Sequence, residues 1–298
     1  MTSKAQAACD RSLLAAVAAA VAGVLVGAAM VATRFVIEQT DPASLALLRY
    51  LIGVVCLLPP LLLAPRVRFA PRDLLPICLL GIVQFGVLIA LLNYALQFIP
   101  SARASLIFAS FPFLTMLLAA AIGSERLSGP KTLGVLLTIL GVGLALGDKG
   151  LATGLGGGDW IGELAVFGSA FCGALCSVLY RPYLQRYPAL QVSFLAMLAS
   201  VAALASLAAW EGFFAAPPAF TTGGWLAVLF IGVGSGVGYY CWLWALNHTS
   251  PTRVTVFLAL SPVTATGLGA LLLGEAVSLL FMAGLLCVAL GLWSAHRR

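Results

Sequence analysis

Residues 94–126 read YALQFIPSARASLIFASFPFLTMLLAAAIGSER, and residues 244–276 read WALNHTSPTRVTVFLALSPVTATGLGALLLGEA. At a shift of 150 residues the two lie over one another without a gap, and the match extends to 94–145 against 244–295. Fourteen of those 52 positions are identical. Matched Ala and Leu mean little in this chain. The coincidence of Arg103 with Arg253, Pro112 with Pro262 and Glu125 with Glu275 means more, because those residues are scarce. Gly134 meets Gly284 and Gly141 meets Gly291, while the first two apolar runs of each half match poorly. The chain is therefore an internal duplication.

Around this repeat, 62% of the 298 residues are hydrophobic and 9% are charged. A soluble domain carries about 25% charged residues. Ten Asp and Glu with sixteen Lys and Arg cannot clothe a globule of this length, so lipid is the solvent for most of the chain. Cuts at charges, prolines and glycines leave ten runs, at about 12–37, 43–64, 73–98, 102–123, 129–147, 160–180, 189–211, 223–247, 251–273 and 277–295. Each approaches the roughly 20 residues a helix needs to cross hydrocarbon. The runs are continuous and not alternating, which excludes a β-barrel. The first run is too long for the core of a signal peptide and is read as a retained helix.

The basic residues set an orientation. One face collects Lys4, Arg11, Arg66, Arg68, Arg72, Arg126, Lys131, Arg181, Arg186, Arg253, Arg297 and Arg298, twelve in all. The other collects three, Arg34, Arg103 and Lys149. Both termini are thus expected in the cytoplasm. The glycine-rich linker 148–159 (DKGLATGLGGGD) is expected outside, between a five-helix repeat at 1–147 and another at 160–298. Five is odd, so the copies cross in opposite senses. The fold class expected is an all-α integral membrane protein of ten transmembrane helices, built as two inverted five-helix repeats. Antiparallel repeats of this kind let a central site change sides, which is how many transporters work.

The helix opening at Arg103 or Arg253, its proline, its terminal Glu125 or Glu275 and the glycine-spaced helix that follows resemble an EamA-type member of the drug/metabolite transporter superfamily. Within it the chain looks most like the YddG-type aromatic amino-acid exporters. The resemblance covers the whole chain. It implies ten helices around a central cavity, with helices 3, 4, 8 and 9 lining much of it.

Polar groups at mid-depth are the candidates for substrate contact. Gln84 stands in the middle of the third run and must face either protein or a cavity. Asn93 is nearer the outer end. Ser110 and Ser261 are central in the fourth and ninth runs, although small hydroxyls also bond their own helix. Ser235, Tyr239 and Trp242 follow i, i+4, i+7 and share a face, and the cavity is the favoured surroundings for Tyr239 and Trp242. Arg49 lies about seven residues inside the second run. It either snorkels to the outer interface or meets a substrate carboxylate or a backbone carbonyl. Pro112 and Pro262 each free the carbonyl four residues earlier, at Phe108 and Leu258, giving a static kink or a bend that rocks during gating. Gly23, Gly27 and the series Gly232, Gly234, Gly236, Gly238 are read as close-packing positions.

No Asp or Glu falls at the centre of any run, which argues against an intramembrane proton relay. There is no nucleophile–His–Asp set, no metal-ligand cluster and no phosphate loop, so neither an enzyme nor a cofactor is expected. The seven cysteines are read as small hydrophobes. The net charge of +6 is dispersed between apolar runs, so the expected partners are lipid and a small-molecule substrate, not nucleic acid. The expected activity is export of small organic metabolites, most of all amino acids including aromatic ones, from a bacterial cell across its inner membrane. The rivals are carriers of nucleobases, sugar phosphates or cationic drugs, and a non-transporting scaffold. The topology is testable directly. In a background without native cysteines, Gly154→Cys should react with an impermeant thiol reagent on intact cells; reaction only after the membrane is opened contradicts ten spans.

Overall fold

The computed structural model describes residues 2–98, 104, 107, 108, 110–124, 129–150, 160–273 and eight positions between 279 and 294. Every element among them is helical, and no strand occurs among the described residues. Helix α1 is Thr2–Val36, α2 is Pro42–Leu63, and α3 is Pro71–Gly81, prolonged through Ile82–Val87 into Leu88–Phe98. Then come α4 (Phe111–Ala121), α5 (Gly129–Gly150), α6 (Trp160–Leu179), α7 (Ala189–Trp210) and α8 (Thr222–His248). Helix α9 runs from Pro251 to Leu273 and tightens to a 3-10 turn at Phe257–Ala259.

Six of these helices are long and apolar enough to cross a membrane, within Leu13–Gln39, Pro42–Leu63, Pro71–Phe98, Trp160–Leu184, Ala189–Trp210 and Thr222–His248. Most of the tenth expected run (277–295), Arg103, Glu125, Glu275 and linker residues 151–159 lie outside the described residues. Boundaries follow helix-end chemistry. Pro42 and Pro71 open α2 and α3, because proline's missing donor has no partner to lose in a first turn. The backbone of α1 is helical from Thr2, ten residues before the expected start, and α5 continues to Gly150, beyond the expected end at 147.

The helices of the two halves interleave. Helix α1 packs on α8 and α9, α2 on α7 and α8, α3 on α6 and α7, and α4 on α6 and α9. Exchanging each helix for the one five places away turns this set of pairs into itself. The contacts depend on small residues, because apolar helices in lipid gain little from hydrophobicity alone. A Cβ on Gly23 or Gly27 of α1 would collide with the backbone carbonyls of Phe257 and Ser261 in α9. Gly53 of α2 and Gly236 of α8 approach backbone to backbone, with a Cβ on Gly236 only 3.0 Å from the Gly53 carbonyl oxygen.

The two prolines differ in setting: Pro262 lies in the interior of α9, whereas Pro112 stands just after a turn. Pro112 lies in the first turn of α4, after a turn closed by the Ser110 N–H on the Ile107 carbonyl at 3.0 Å. Pro262 follows the 3-10 turn of α9, where the Phe257 carbonyl receives the Leu260 N–H. In α9 the ladder tightens to 3-10 geometry just before Pro262, while Pro112 occupies the first turn of α4, where its missing donor has no partner to lose.

The bundle has two unlike ends. At one, Glu211 beyond α7 caps α2, accepting from Ala43 N at 3.0 Å, Ser44 N at 2.8 Å and Ser44 Oγ at 2.9 Å. Gln39 Oε1 there accepts from Thr221 N at 3.0 Å. At the other end Asp73 receives Tyr187 Oη–H at 2.7 Å and pairs with Arg186 at 3.2 Å, tying α3 to the loop before α7. Arg66, Arg68, Arg72 and Arg181 belong to that second end. An anion on a helix N-terminus satisfies orphan donors and opposes the helix dipole. Glu211→Ala should therefore remove roughly 1–2 kcal/mol and lower Tm in detergent. Glu38→Ala, which deletes a carboxylate near the same end, serves as the control; equal shifts would contradict the capping role.

Candidate functional site: a central cavity

The third helix is the natural place to begin. Between Gly81 and Leu88 its ladder widens to a π-helical stretch, with Leu88 N bonded to the Val83 carbonyl. A π-turn adds a residue to the helical circuit and re-aims the side chains beside it. Gln84 and Phe85 sit on this stretch, and both line a cavity of about 870 Å³ of atom-free space, mouth included.

The wall is aromatic and aliphatic with a few polar groups. Helix α1 contributes Val26, Met30 and Thr33, α2 contributes Arg49 and Tyr50, and α3 contributes Gln84 through Leu96 on one face. Phe111 comes from α4, Ser235, Tyr239 and Trp242 from α8, and Leu258 from α9. The family-based expectation put helices 3, 4, 8 and 9 here. The large share of α1 and α2 is an addition; α1 packs on both α8 and α9, reaching α9 at Gly23 and Gly27.

Of the residues singled out in the sequence, Arg49, Gln84, Asn93, Ser235, Tyr239 and Trp242 share this one cavity. Gln84 Oε1 is buried without a hydrogen-bond partner. Asn93 is buried, and its amide donates to the Pro42 carbonyl at 3.0 Å, joining the end of α3 to the start of α2. Tyr239 packs edge-on against Phe85 with centroids 4.1 Å apart, and Trp242 meets Phe111 edge-on at 6.1 Å. Ser110 is not among the lining residues, and its hydroxyl is buried without a partner. Ser261 lines a separate, smaller cavity with Met30, Phe108, Leu258, Pro112 and Pro262, and its hydroxyl lies 3.7 Å from the Met30 sulfur. The two repeat-equivalent prolines thus meet at one void between α4 and α9.

Arg49 does not snorkel. It is 9% exposed, its Nε donates to Ser235 Oγ, and its guanidinium carbon stands 5.5 Å from the centre of the Tyr50 ring. Ser235 in turn donates to the Ile231 carbonyl at 2.6 Å. The glycines of α8 divide their work by face. Gly232 and Gly236 admit Ile52 and Gly53 of α2, whereas Gly234 and Gly238 open the cavity wall beside Leu25.

Sequence reasoning did not find Thr33, Tyr50, Phe85 or Phe111. Aromatic and hydroxyl residues are common on every face of a membrane helix, so only the i, i+4, i+7 spacing on α8 carried a signal. From Phe85 and Tyr239 the rings continue to Tyr180 at 6.3 Å, filling the side towards the Arg181 and Arg186 end. On the other side the wall runs past Asn93 to Leu96 and Thr33, towards the end capped by Glu211. No group of three His, Cys, Asp or Glu able to hold a metal occurs among the described residues.

The model of the EamA-like transporter family matches residues 13–147 and again 160–295. The chain belongs to that family. It is a multi-pass membrane protein, and its two family repeats are the two halves that interleave in the fold. It is 24% identical to an uncharacterised transporter of Clostridium kluyveri, over 84% of this chain and 82% of that one. It is 30% identical to a probable terminal-alkyne amino-acid exporter of Streptantibioticus cattleyicolor, over 68% and 67%. It is 28% identical to a probable amino-acid metabolite efflux pump of Salmonella typhimurium, over 79% and 85%. A protein crystal structure 22% identical in sequence superposes with a TM-score of 0.80 over 96% of both chains, which shows that the fold is shared.

In this EamA-family transporter the unpaired oxygen of Gln84 has a measurable consequence. A buried acceptor without a donor costs about 1–3 kcal/mol. Gln84→Leu should hold or raise Tm in detergent; a fall of that size would show that the amide is bonded in the resting protein.

Proposed function

We propose that the protein exports small organic metabolites across the bacterial inner membrane by alternating access, with amino acids, aromatic ones included, as its main substrates. The observation that carries this reading is the cavity among the described helices, where Gln84, Asn93 and Arg49 stand among Phe85, Phe111, Tyr239 and Trp242. Rings supply stacking area for an apolar body, and the few polar groups orient its head. The names of two relatives, an amino-acid exporter and an amino-acid metabolite efflux pump, support the substrate class.

Ten helices in two inverted five-helix halves, 1–147 and 160–298 about the linker 148–159, are part of the proposal. The exchange symmetry of the helix pairs supports the two-fold repeat, since it demands that α1 on α8 be matched by α6 on α3, and an odd number of spans in each half then inverts one copy. Both termini then face the cytoplasm with the arginine-rich end, and the cavity faces outward. Pro112 and Pro262 act as paired hinges around their shared void. A sugar-phosphate carrier would need several cavity cations, and Arg49 is the single Lys or Arg among the described lining residues. A cationic-drug pump would need a carboxylate there, and none occurs among them.

Purified protein in liposomes tests the reading. Saturable counterflow of labelled aromatic amino acid is expected, and its absence for every amino acid of a broad panel would contradict it. Trp242→Ala should weaken an aromatic substrate by about 2- to 13-fold if stacking alone is lost, and a small aliphatic one less. Equal loss for both, in protein shown to be correctly inserted, would assign Trp242 to packing. Transport should also persist without a proton gradient. Accumulation driven by an imposed pH gradient and abolished by a protonophore would contradict that.

A further inference from the structure

We infer that the cavity is a monocarboxylate site: the Arg49 guanidinium receives the substrate's carboxylate, and no ionic group receives an amine. This rests on the cavity being the substrate site, and it defines which part of the substrate is read by charge.

The argument begins with cost. An arginine buried to nine-tenths as a residue within a membrane bundle is expensive unless an anion or a full set of acceptors meets its guanidinium. Arg49 has one acceptor, Ser235 Oγ, engaged through Nε. The Tyr50 face, 5.5 Å away, offers a second, weaker stabilisation. No Asp or Glu pairs with Arg49 among the described residues, and its Nη edge has no hydrogen-bond partner among them although the side chain lines the cavity.

Geometry then selects the ligand. Ser235 is itself fixed by donating to Ile231 of its own helix, so its oxygen holds the guanidinium from the Nε side in a set plane. The remaining fork of the guanidinium, with parallel N–H groups, suits the two oxygens of a carboxylate. A phosphate dianion would leave one charge unmet by the described wall. Around the fork stand Tyr50, Phe85 and Tyr239, whose rings accept an apolar or aromatic body.

The same wall lacks the complement of an ammonium. Ten Asp and Glu occur in the chain, and none is among the described lining residues. Glu211 is spent on the α2 cap and Asp73 on Arg186 and Tyr187, both at the bundle ends. A zwitterion is therefore held by one end. An aromatic carboxylate without the amine keeps that ionic contact, and an aromatic amine without the carboxylate forfeits it and meets a like charge.

Three probes of matched size separate the possibilities: phenylalanine, 3-phenylpropionate and phenethylamine. Their binding to purified wild-type protein is read by ligand-induced thermal stabilisation and by competition against labelled phenylalanine in liposomes. Phenylalanine and 3-phenylpropionate should bind with affinities of the same order, and phenethylamine about 30-fold or more weaker, the size expected for losing a buried charge partner. Arg49→Met should lose the two carboxylates by a similar factor and spare phenethylamine. The wild-type series keeps the test valid if that variant does not fold. Phenethylamine binding as well as 3-phenylpropionate, or no stabilisation by 3-phenylpropionate, overturns the inference. If the carboxylates bind but nothing crosses the liposome membrane, the transport reading fails and the Arg49 assignment stands.

Discussion

Backbone approach between apolar helices is the constraint on which this structure rests. In hydrocarbon there is no water to expel, so helices associate through van der Waals contact and internal polar bonds. Gly23 and Gly27 bring α1 onto the carbonyls of Phe257 and Ser261, and Gly53 and Gly236 bring α2 onto α8. These contacts draw helices of one half between helices of the other. Large side chains are displaced from the seams, and the space that remains between α1, α2, α3 and α8 is the cavity.

Much of the helical order was legible. Runs of hydrophobic residues ended at charges and prolines, and the observed ends of α2, α6, α7 and α8 fall within two residues of them. The repeat and the shared face of Ser235, Tyr239 and Trp242 were visible for the same reason: periodic or scarce residues carry information in a sequence dominated by Ala and Leu. The local breaks were not visible. The π-stretch beside Gln84 and the 3-10 turn before Pro262 are choices of hydrogen-bond partner, which composition does not encode. Nor was the direction of Arg49. A long cation near a helix end has two low-cost outcomes, and only the position of Ser235 on a distant helix decides between them.

On the proposed reading, a nearly charge-free interior would still be selective: one cation, two amides and a wall of rings would distinguish head from body without a carboxylate among the described lining residues. The polar caps are kept apart from this region, at the two ends of the bundle, where Glu211 and the Asp73–Arg186–Tyr187 cluster tie α7 and its preceding loop to α2 and α3. The void shared by Pro112 and Pro262 lies between α4 and α9, where a change in their crossing would be felt by both halves at once.

The central claim is that this one cavity reaches both sides of the membrane in turn. The most direct measurement uses Ile89→Cys, a cavity-lining position on α3, in a background without native cysteines and with a fixed orientation in liposomes. An impermeant thiol reagent is added from one side or the other, with and without substrate. The account predicts that each side reaches the thiol, with substrate changing the balance of the two rates. Reaction from one side alone under every substrate condition would mean a fixed pocket and would contradict it.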